Sequence, residues 1–594
     1  MRLVLTPNKE FVQVIHEDAY EYKGLYSFPA FHRDDTGYYI PAKPWILHNV
    51  ISRLAKNFKN VKASPEVLEL SKAGLKLKAI PDTFKYHTTP MVFQEIALRF
   101  LYTLGSAGIL LDPGMGKTKV ILDYIHLMGF ERVCVVCPLP LLFVWEDEIA
   151  IHRPELTFHS VTTTDWEKER EGLLNNQVTI VNYSKLSILK EQFRTVKYDY
   201  MHLDEFLIKD PKTQRTEDIT ELSRRIPYRS GGSGTLVNNS IMDIFAPVRF
   251  LEPSLVGDHP AGFFQHHAVV KEDRATRRKM VVGYKKMEEA RSALRSCSIV
   301  MTKEEWLKDL PQKAFYDVDV EISSEQYEFY RSLARNMAAV MNGEVIEVDN
   351  PLVLLSKLYQ VSNGFIYVPE DVEDEKQGLV NNDLEDLLQE KQKTGRKKPK
   401  RRTLFFQEQP KIEALRDLIT ETLPGRRCIL WFNMSAEYEL ISKLLDDMGK
   451  KYLTIKGGEK KIRDKVHTFN GDNSYEFLVC QAKSVNYGIT ILGTTLEDME
   501  DSKVEIMPDI SPEVHTQIFY SLNFSLEVFL QQQDRIHRLG QKHLCEYYRL
   551  IADTSVEYRI KKAITEKMTL RREVLIDFIK ELQNELQDEP SKLV

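Results

Sequence analysis

The feature that most constrains the fold of this chain is an alternation, seen twice, between short apolar runs and longer amphipathic stretches. This pattern is typical of strand–helix–strand units built around a parallel sheet. We therefore predict an α/β fold with two parallel-sheet domains, the first spanning about Pro90 to Pro253. The apolar runs are Ala107 to Leu111, Val133 to Cys137, Val178 to Val181 and Tyr200 to Leu203 in the first series, and Cys428 to Phe432, Tyr452 to Ile455, Phe477 to Cys480 and Gln517 to Tyr520 in the second.

The chain has 594 residues, more than one hydrophobic core accommodates. Its middle is rich in helix-forming residues, and an acidic run followed by a basic run indicates a solvated insertion. Apolar residues after Ile551 recur at helical spacing. The predicted divisions are an N-terminal accessory domain (1–80), a first lobe (81–255), a helical protrusion and interlobe segment (256–367), a charged mobile insertion (368–403), a second lobe (404–550) and a C-terminal helical brace (551–594).

Composition restricts the partners and the compartment. Lys and Arg total 81 against 87 Asp and Glu, a net charge of −6, so a nucleic-acid site has to be a local basic groove. The absence of a signal-peptide core or an apolar run of about 20 residues predicts a soluble, intracellular protein without a membrane partner. That compartment is the cytoplasm or nucleoid for a prokaryotic or viral protein and the nucleus for a eukaryotic one. Cys134 and Cys137 are interpreted as buried strand thiols rather than a zinc or redox pair.

A glycine-bearing loop joins the run Ala107 to Leu111 to an amphipathic helix, which is the order that a phosphate site requires. Glycines let backbone amides approach phosphate oxygens, a lysine meets the β- and γ-phosphates of ATP, and a hydroxyl reaches Mg²⁺. Leu111 stands where the general pattern has its first glycine, and a glycine turn with a chance lysine is the alternative. The predicted nucleotide contacts are Gly114, Met115, Gly116, Lys117, Thr118 and Lys119, with Thr118 also on the metal.

Two carboxylates follow the run Tyr200 to Leu203. A magnesium-bound triphosphate needs a carboxylate at the end of a neighbouring strand. We predict that Asp204 holds the metal through its water shell and that Glu205 orients the attacking water. An Asp-Glu pair is common by chance, so the prediction depends on its position beyond the phosphate loop with two strand-like runs between them.

Longer motifs resemble those of the SWI/SNF-type ATPases of helicase superfamily two. Residues 204–213 resemble their second motif, 233–240 with 243–251 their third, and 531–541 their sixth. The segment from Phe31 to Phe58 is similar to the one preceding the motor in annealing-helicase relatives, which suggests a compact relative of that branch. Weaker matches are Cys137-Pro138 with Trp145, Asn182-Tyr183, Thr302-Lys303 with Leu310-Pro311, and Ser484 to Thr490.

The resemblance implies two RecA-like lobes, ATP and Mg²⁺ as cofactors, and translocation on duplex or branched DNA that remodels DNA or protein–DNA complexes. It further implies that Gln94 reads adenine and that two arginines stabilise charge on the γ-phosphate. The implied catalytic residues are Lys117, Asp204, Glu205, Arg535 and Arg538, and the implied coupling or DNA residues are Ser233, Gly234, Thr235 and Gln531.

Two departures from the family pattern and several alternatives stay open. Phe206 and Leu207 replace the alanine and histidine that usually end the second motif, and the fifth motif, at 484–490, has a single glycine. A strand-separating helicase and an ATP-gated DNA clamp or scaffold are the rival functions. A metabolic kinase fits less well, because it would not need the arginine motif. Residues 1–80 are either a DNA-junction reader or a packing module.

Overall fold

The chain forms two compact units, Met1–Lys308 and Asp309–Val594. None of the helices in the described part of the chain combines the length and apolar character that a membrane crossing requires. The computed structural model describes residues 1–15, 32–34, 37–57, 61–72, 75–208, 210–234, 241–257, 260–272, 279–341, 343–348, 350–369, 401–459, 461–484, 514–566, 578–579 and 581.

The first unit is built on a seven-stranded sheet in which every pair of neighbours is parallel. Four of its inner strands, Ala107–Leu111, Tyr200–Asp204, Val133–Cys137 and Val178–Asn182, are buried along their whole length, as expected when helices cover both faces of a parallel sheet. The strand order is Ser298–Met301, Ala107–Leu111, Tyr228–Gly232, Tyr200–Asp204, Val133–Cys137, Val178–Asn182 and Phe158–Ser160. The helices are Val92–Leu104, Lys117–Met128, Leu142–His152, Trp166–Asn175, Tyr183–Ile188, Lys190–Phe193, Gln214–Ser223, Phe245–Leu251, Pro260–His267, Met287–Cys297 and Lys303–Trp306.

A smaller, mostly antiparallel sheet lies at the start of the first unit. Its strand order is His32–Asp34, Gly37–Pro41, Phe11–Ile15, Arg2–Leu5 and Lys62–Ala63, and the helices Pro44–Asn57 and Pro65–Lys72 accompany it. Its buried side chains belong to the same hydrophobic cluster as those of the large sheet. Lys43 also pairs with Glu252 at 3.0 Å. This N-terminal part therefore packs as a continuation of the first unit's core.

The second unit has a six-stranded sheet that is also parallel throughout. The predicted class of fold, α/β with two parallel sheets, is therefore confirmed. The strand order is Lys313–Val320, Cys545–Ala552, Thr516–Phe519, Cys428–Phe432, Phe477–Gln481 and Tyr452–Ile455. The helices are Ser324–Asn336, Pro351–Ser362, Pro410–Asp417, Ser435–Asp447, Ile462–Gly471, Leu526–Gln533 and Ser555–Thr565.

Within the predicted segment 256–367, the chain supplies an edge strand to each of the two sheets. Strand Ser298–Met301 is an edge of the first sheet and strand Lys313–Val320 is an edge of the second. Both edge strands are partly exposed. The remainder contributes helices and two hairpins, Ala268–Glu272 with Lys279–Tyr284 and Ala338–Met341 with Glu344–Glu347.

The predicted charged insertion is bracketed by paired antiparallel strands, Phe365–Pro369 and Arg401–Phe405. Residues 370–400 between these strands lie outside the described residues. The same holds for Thr235, for most of the fifth motif and for most of the C-terminal segment beyond residue 566.

Candidate nucleotide-binding site

The phosphate loop lies between strand Ala107–Leu111 and helix Lys117–Met128. Gly114 and Gly116 have φ of 81° and 74°, left-handed conformations that favour glycine. The first N–H groups of a helix have no partner within the helix, and its dipole is positive at this end. The loop therefore presents an anion-binding site. Nζ of Lys117 donates to the carbonyl of Leu111 at 3.0 Å, which holds the ammonium group beside the loop.

Gln94 is brought to this loop by helix Val92–Leu104. Its Oε1 accepts from the N–H of Met91 at 2.9 Å, and its Nε2 donates to the carbonyl of Met115 at 3.1 Å. A Cβ at Gly116 would lie 2.4 Å from that Nε2, so a side chain there would displace the amide. The structure thus places Gln94 and Met115 together at the loop, while adenine reading by Gln94 stays a prediction.

The sequence predicts that Lys119 contacts the nucleotide, but its side chain points to Asp123 instead. Its Nζ pairs with Oδ2 of Asp123 at 2.8 Å, and Nη2 of Arg153 pairs with Oδ1 of the same carboxylate at 2.6 Å. All three side chains are buried. Burial lowers the pKa of Lys119, and the Asp123 carboxylate opposes that shift. Lys119 can therefore contribute to a phosphate site through its backbone N–H in the first helical turn.

Asp204 ends strand Tyr200–Asp204 and is fixed at two of its atoms. Its Oδ2 accepts from Nε1 of Trp145 at 2.9 Å, and its carbonyl accepts from the hydroxyl of Tyr183 at 2.8 Å. Burial raises the pKa of Asp204, whereas the Trp145 hydrogen bond and the charge of Lys117 lower it. The Lys117 side chain also packs beside Gly232, the strand partner of Asp204, where a Cβ would lie 3.4 Å from its Cδ.

Glu205 has φ of 52°, in the left-handed region that residues other than glycine rarely adopt. Such a conformation costs on the order of 1–3 kcal/mol and persists only when the surroundings impose it. The backbone strain falls on the residue predicted to orient the attacking water. Sequence reasoning could not find this feature, because nothing in the residue type indicates it.

His202 is a functional candidate that sequence reasoning missed. Its Nδ1 forms a hydrogen bond with the hydroxyl of Ser230 at 2.7 Å, and the hydroxyl of Tyr200 bonds to the same Ser230 oxygen. Burial and the neighbouring Lys117 lower the pKa of His202 to about 3, so the imidazole is neutral at physiological pH. The only signal in the sequence was a histidine inside an otherwise apolar run.

The start of the third motif packs against the phosphate loop. Strand Tyr228–Gly232 lies between the strands that lead into the loop and into Asp204. Ser233, which follows it, is buried. A Cβ at Gly234 would lie 2.5 Å from Cδ of Pro113. Ser233 and Gly234 are therefore brought to the site, whereas Thr235 lies outside the described residues.

The donors predicted for Mg²⁺ are suited to it chemically. Thr118 is the second residue of the helix after the loop, and Asp204 lies at the end of a nearby strand. Hydroxyl and carboxylate oxygens, together with substrate phosphates, are the ligands that Mg²⁺ takes in nucleotide sites. The residues present thus fit the ion.

Gln531, Arg535 and Arg538 belong to the second unit. All three are buried in and just after helix Leu526–Gln533. Nε of Arg538 donates to the carbonyl of Asp534 at 2.6 Å. Burial raises the pKa of Cys480, and the charge of Arg535 partly offsets that rise. The roles of Gln531 and both arginines stay predictions.

Residues 93–364 match the family model described as the SNF2-related domain. The chain therefore carries an SNF2-related domain, and the resemblance to SWI/SNF-type ATPases is confirmed.

Several known proteins are similar to much of the chain. The TATA-binding protein-associated factor mot1 of Aspergillus fumigatus is 23% identical over 515 residues, covering 78% of the chain and 25% of that protein. An ATP-dependent helicase of Mycoplasma genitalium, named as uncharacterized, is 21% identical, with 80% and 41% covered. The chain thus spans a quarter to two fifths of the length of these relatives. The Sulfolobus solfataricus SWI2/SNF2 ATPase core in complex with dsDNA matches with a TM-score of 0.37 and 17% identity, covering 86% of this chain and 97% of that one.

Proposed function

We propose that this chain hydrolyses ATP at the Lys117 loop and uses the energy to move along duplex DNA. The observation that supports hydrolysis best is geometric. Lys117, at the start of an anion-binding helix, packs beside Gly232, where a Cβ would lie 3.4 Å from its Cδ, and Gly232 is the strand partner of Asp204. An anion site beside a metal-binding carboxylate is what phosphoryl transfer to water requires.

The chain's own residues have distinct tasks in this reaction. Backbone N–H groups at the start of helix Lys117–Met128 bind the phosphates, and Lys117 exchanges the Leu111 carbonyl for the β- and γ-phosphates. Thr118 and Asp204 hold Mg²⁺, which when bound neutralises charge on the phosphates. Glu205 orients the attacking water, and Arg535 and Arg538 are the proposed arginines that stabilise developing charge.

DNA as the track is inferred from the family and from what its members are named for. The mot1 relative is named as a TATA-binding protein-associated factor, and the Mycoplasma relative is named as an ATP-dependent helicase. A motor that follows duplex or branched DNA contacts chiefly phosphates, so sequence should matter little and binding should weaken steeply with salt. Remodelling of DNA or of protein–DNA complexes would follow from such movement.

The test is ATP hydrolysis measured with duplex, single-stranded, forked and RNA ligands at one salt concentration. Displacement of a third strand from triplex DNA is measured beside unwinding of a tailed duplex, with Glu205→Gln as the inactive control. Duplex-stimulated hydrolysis with triplex displacement is expected. Unwinding without triplex displacement would favour a strand-separating helicase, and stimulated hydrolysis with neither activity would favour an ATP-gated clamp. Hydrolysis that no nucleic acid stimulates would refute the proposal.

A further inference from the structure

Two side chains outside the predicted site hold Asp204 from different directions. Trp145 lies on helix Leu142–His152, which follows strand Val133–Cys137, and Tyr183 begins helix Tyr183–Ile188, which follows strand Val178–Asn182. Both donors therefore come from segments that follow neighbouring strands of the same parallel sheet. One bonds to the carboxylate of Asp204 and the other to its backbone carbonyl.

The Trp145 bond fixes the direction of the Asp204 carboxylate. The indole is 1% exposed and packs beside the His202 ring, with centroids 5.4 Å apart, so it has little freedom to move. Its single N–H points at Oδ2 over 2.9 Å. A hydrogen bond to an ionised group is stronger than one between neutral groups. The carboxylate is thus aimed by a rigid, buried donor.

The Tyr183 bond acts on the backbone. The Asp204 carbonyl that it binds belongs to the peptide unit linking Asp204 to Glu205. The orientation of that peptide unit sets φ of Glu205, which is 52°. Without the hydroxyl, the peptide could rotate toward a common conformation and carry the Glu205 side chain away from its place. The buried phenol therefore helps to maintain the strained backbone.

We propose that Trp145 and Tyr183 are positioning residues for the proposed ATP hydrolysis, on which this inference rests. Trp145 aims the metal-binding carboxylate of Asp204, whereas Tyr183 holds the backbone that directs Glu205 toward the attacking water. Their loss should have separable effects. Loss of the Trp145 bond should weaken binding of the Mg²⁺ complex of ATP, whereas loss of the Tyr183 bond should slow turnover.

The experiment compares Trp145→Phe and Tyr183→Phe in the full chain. Dissociation constants for a fluorescent ATP analogue are measured in magnesium chloride and in EDTA, together with kcat. The ratio of the two constants comes from the folded fraction alone, so partial unfolding does not distort it. Matched controls are Trp431→Phe, whose indole donates to Gln517 at 3.0 Å, and Tyr124→Phe, whose hydroxyl donates to the Gly105 carbonyl at 3.1 Å.

For Trp145→Phe, we expect the gain in affinity from Mg²⁺ to fall about tenfold, the size of one hydrogen bond to a charged group, with affinity in EDTA unchanged. For Tyr183→Phe, we expect kcat to fall about tenfold with both dissociation constants unchanged.

The controls should keep the Mg²⁺ gain and the kcat of the wild type. A wild-type gain in Trp145→Phe, or an unchanged kcat in Tyr183→Phe, would overturn the corresponding assignment. Equal losses in a variant and its control would overturn that assignment too, since the effect would then be general destabilisation. A wild-type chain that neither binds nor hydrolyses ATP would instead overturn the proposed function.

Discussion

Gly116→Ala tests the geometry of the phosphate loop, because an alanine at this position lowers the free energy of unfolding for two independent reasons. Gly116 is left-handed, with φ of 74°, and an alanine held there loses roughly 1–2 kcal/mol. Its Cβ would also lie 2.4 Å from Nε2 of Gln94. The buried amide would have to give up its bond to the Met115 carbonyl, at a further cost of roughly 1–3 kcal/mol. The expected loss in free energy of unfolding is the sum, about 2–5 kcal/mol.

Gly129→Ala is the matched control for the first cost alone. Gly129 ends the same helix, also in the left-handed conformation with φ of 62°, and a Cβ there would meet nothing within 4 Å. Denaturation and binding of a fluorescent ATP analogue would be measured for both variants. We expect Gly129→Ala to lose about 1–2 kcal/mol of stability and to keep wild-type affinity. Gly116→Ala should lose more stability and at least about tenfold in affinity, because its loop amides are displaced.

Gln94→Ala combined with Gly116→Ala separates the two costs. Truncating Gln94 removes the clash, so the loss caused by alanine at 116 should be smaller in that background than in the wild type. Equal ATP affinity in Gly116→Ala and Gly129→Ala, or strictly additive effects in the double variant, would refute the reasoning.

Three further predictions concern the catalytic groups and the core. Lys117→Ala should abolish ATP turnover, whereas Glu205→Gln should bind ATP and barely hydrolyse it; wild-type hydrolysis by purified Glu205→Gln would remove its assigned role. Arg535→Ala and Arg538→Ala should slow hydrolysis by about 10³ to 10⁵ while binding persists, and normal rates in folded variants, checked by melting, would contradict the arginine assignment. Phe206→Ala should lower the free energy of unfolding by about 3–5 kcal/mol in denaturation experiments, since the ring is fully buried; a loss below about 1 kcal/mol would show that its packing contributes little.

Most inner strands of the two sheets could be predicted, because a strand covered on both faces commonly reads as a continuous apolar run. Ala107–Leu111, Val133–Cys137 and Cys428–Phe432 occupy the ranges expected of them. The inner strand Tyr228–Gly232 has no such apolar run and could not be predicted in this way, whereas the edge strand Tyr452–Ile455 could. Lys313–Val320 pairs with Cys545–Ala552 from the far end of the unit, a contact that local periodicity cannot reveal.

The candidate site likewise has features that the sequence predicts and features that it does not. Chemistry carried by residue type and local spacing, such as the glycines around Lys117, could be predicted. Features that depend on tertiary contacts could not. The Trp145 bond to Asp204 joins positions 59 residues apart. Arg153, which follows another helix, joins the local Lys119–Asp123 pair to form a buried charge network.

Phe206, at the apolar end of the second motif, packs against the neighbouring strand Tyr228–Gly232. Phe206 occupies the space beside Gly231, where a Cβ would lie 2.1 Å from the ring, and its N–H donates to the carbonyl of Gly232 at 3.1 Å. His202 bonds to Ser230 on the same strand. The carboxylate segment is thus tied to the strand that runs into Ser233 by packing and two hydrogen bonds. We expect a shift of the carboxylates to be passed to the third motif through these contacts, even though Leu207 stands where the family usually has a histidine.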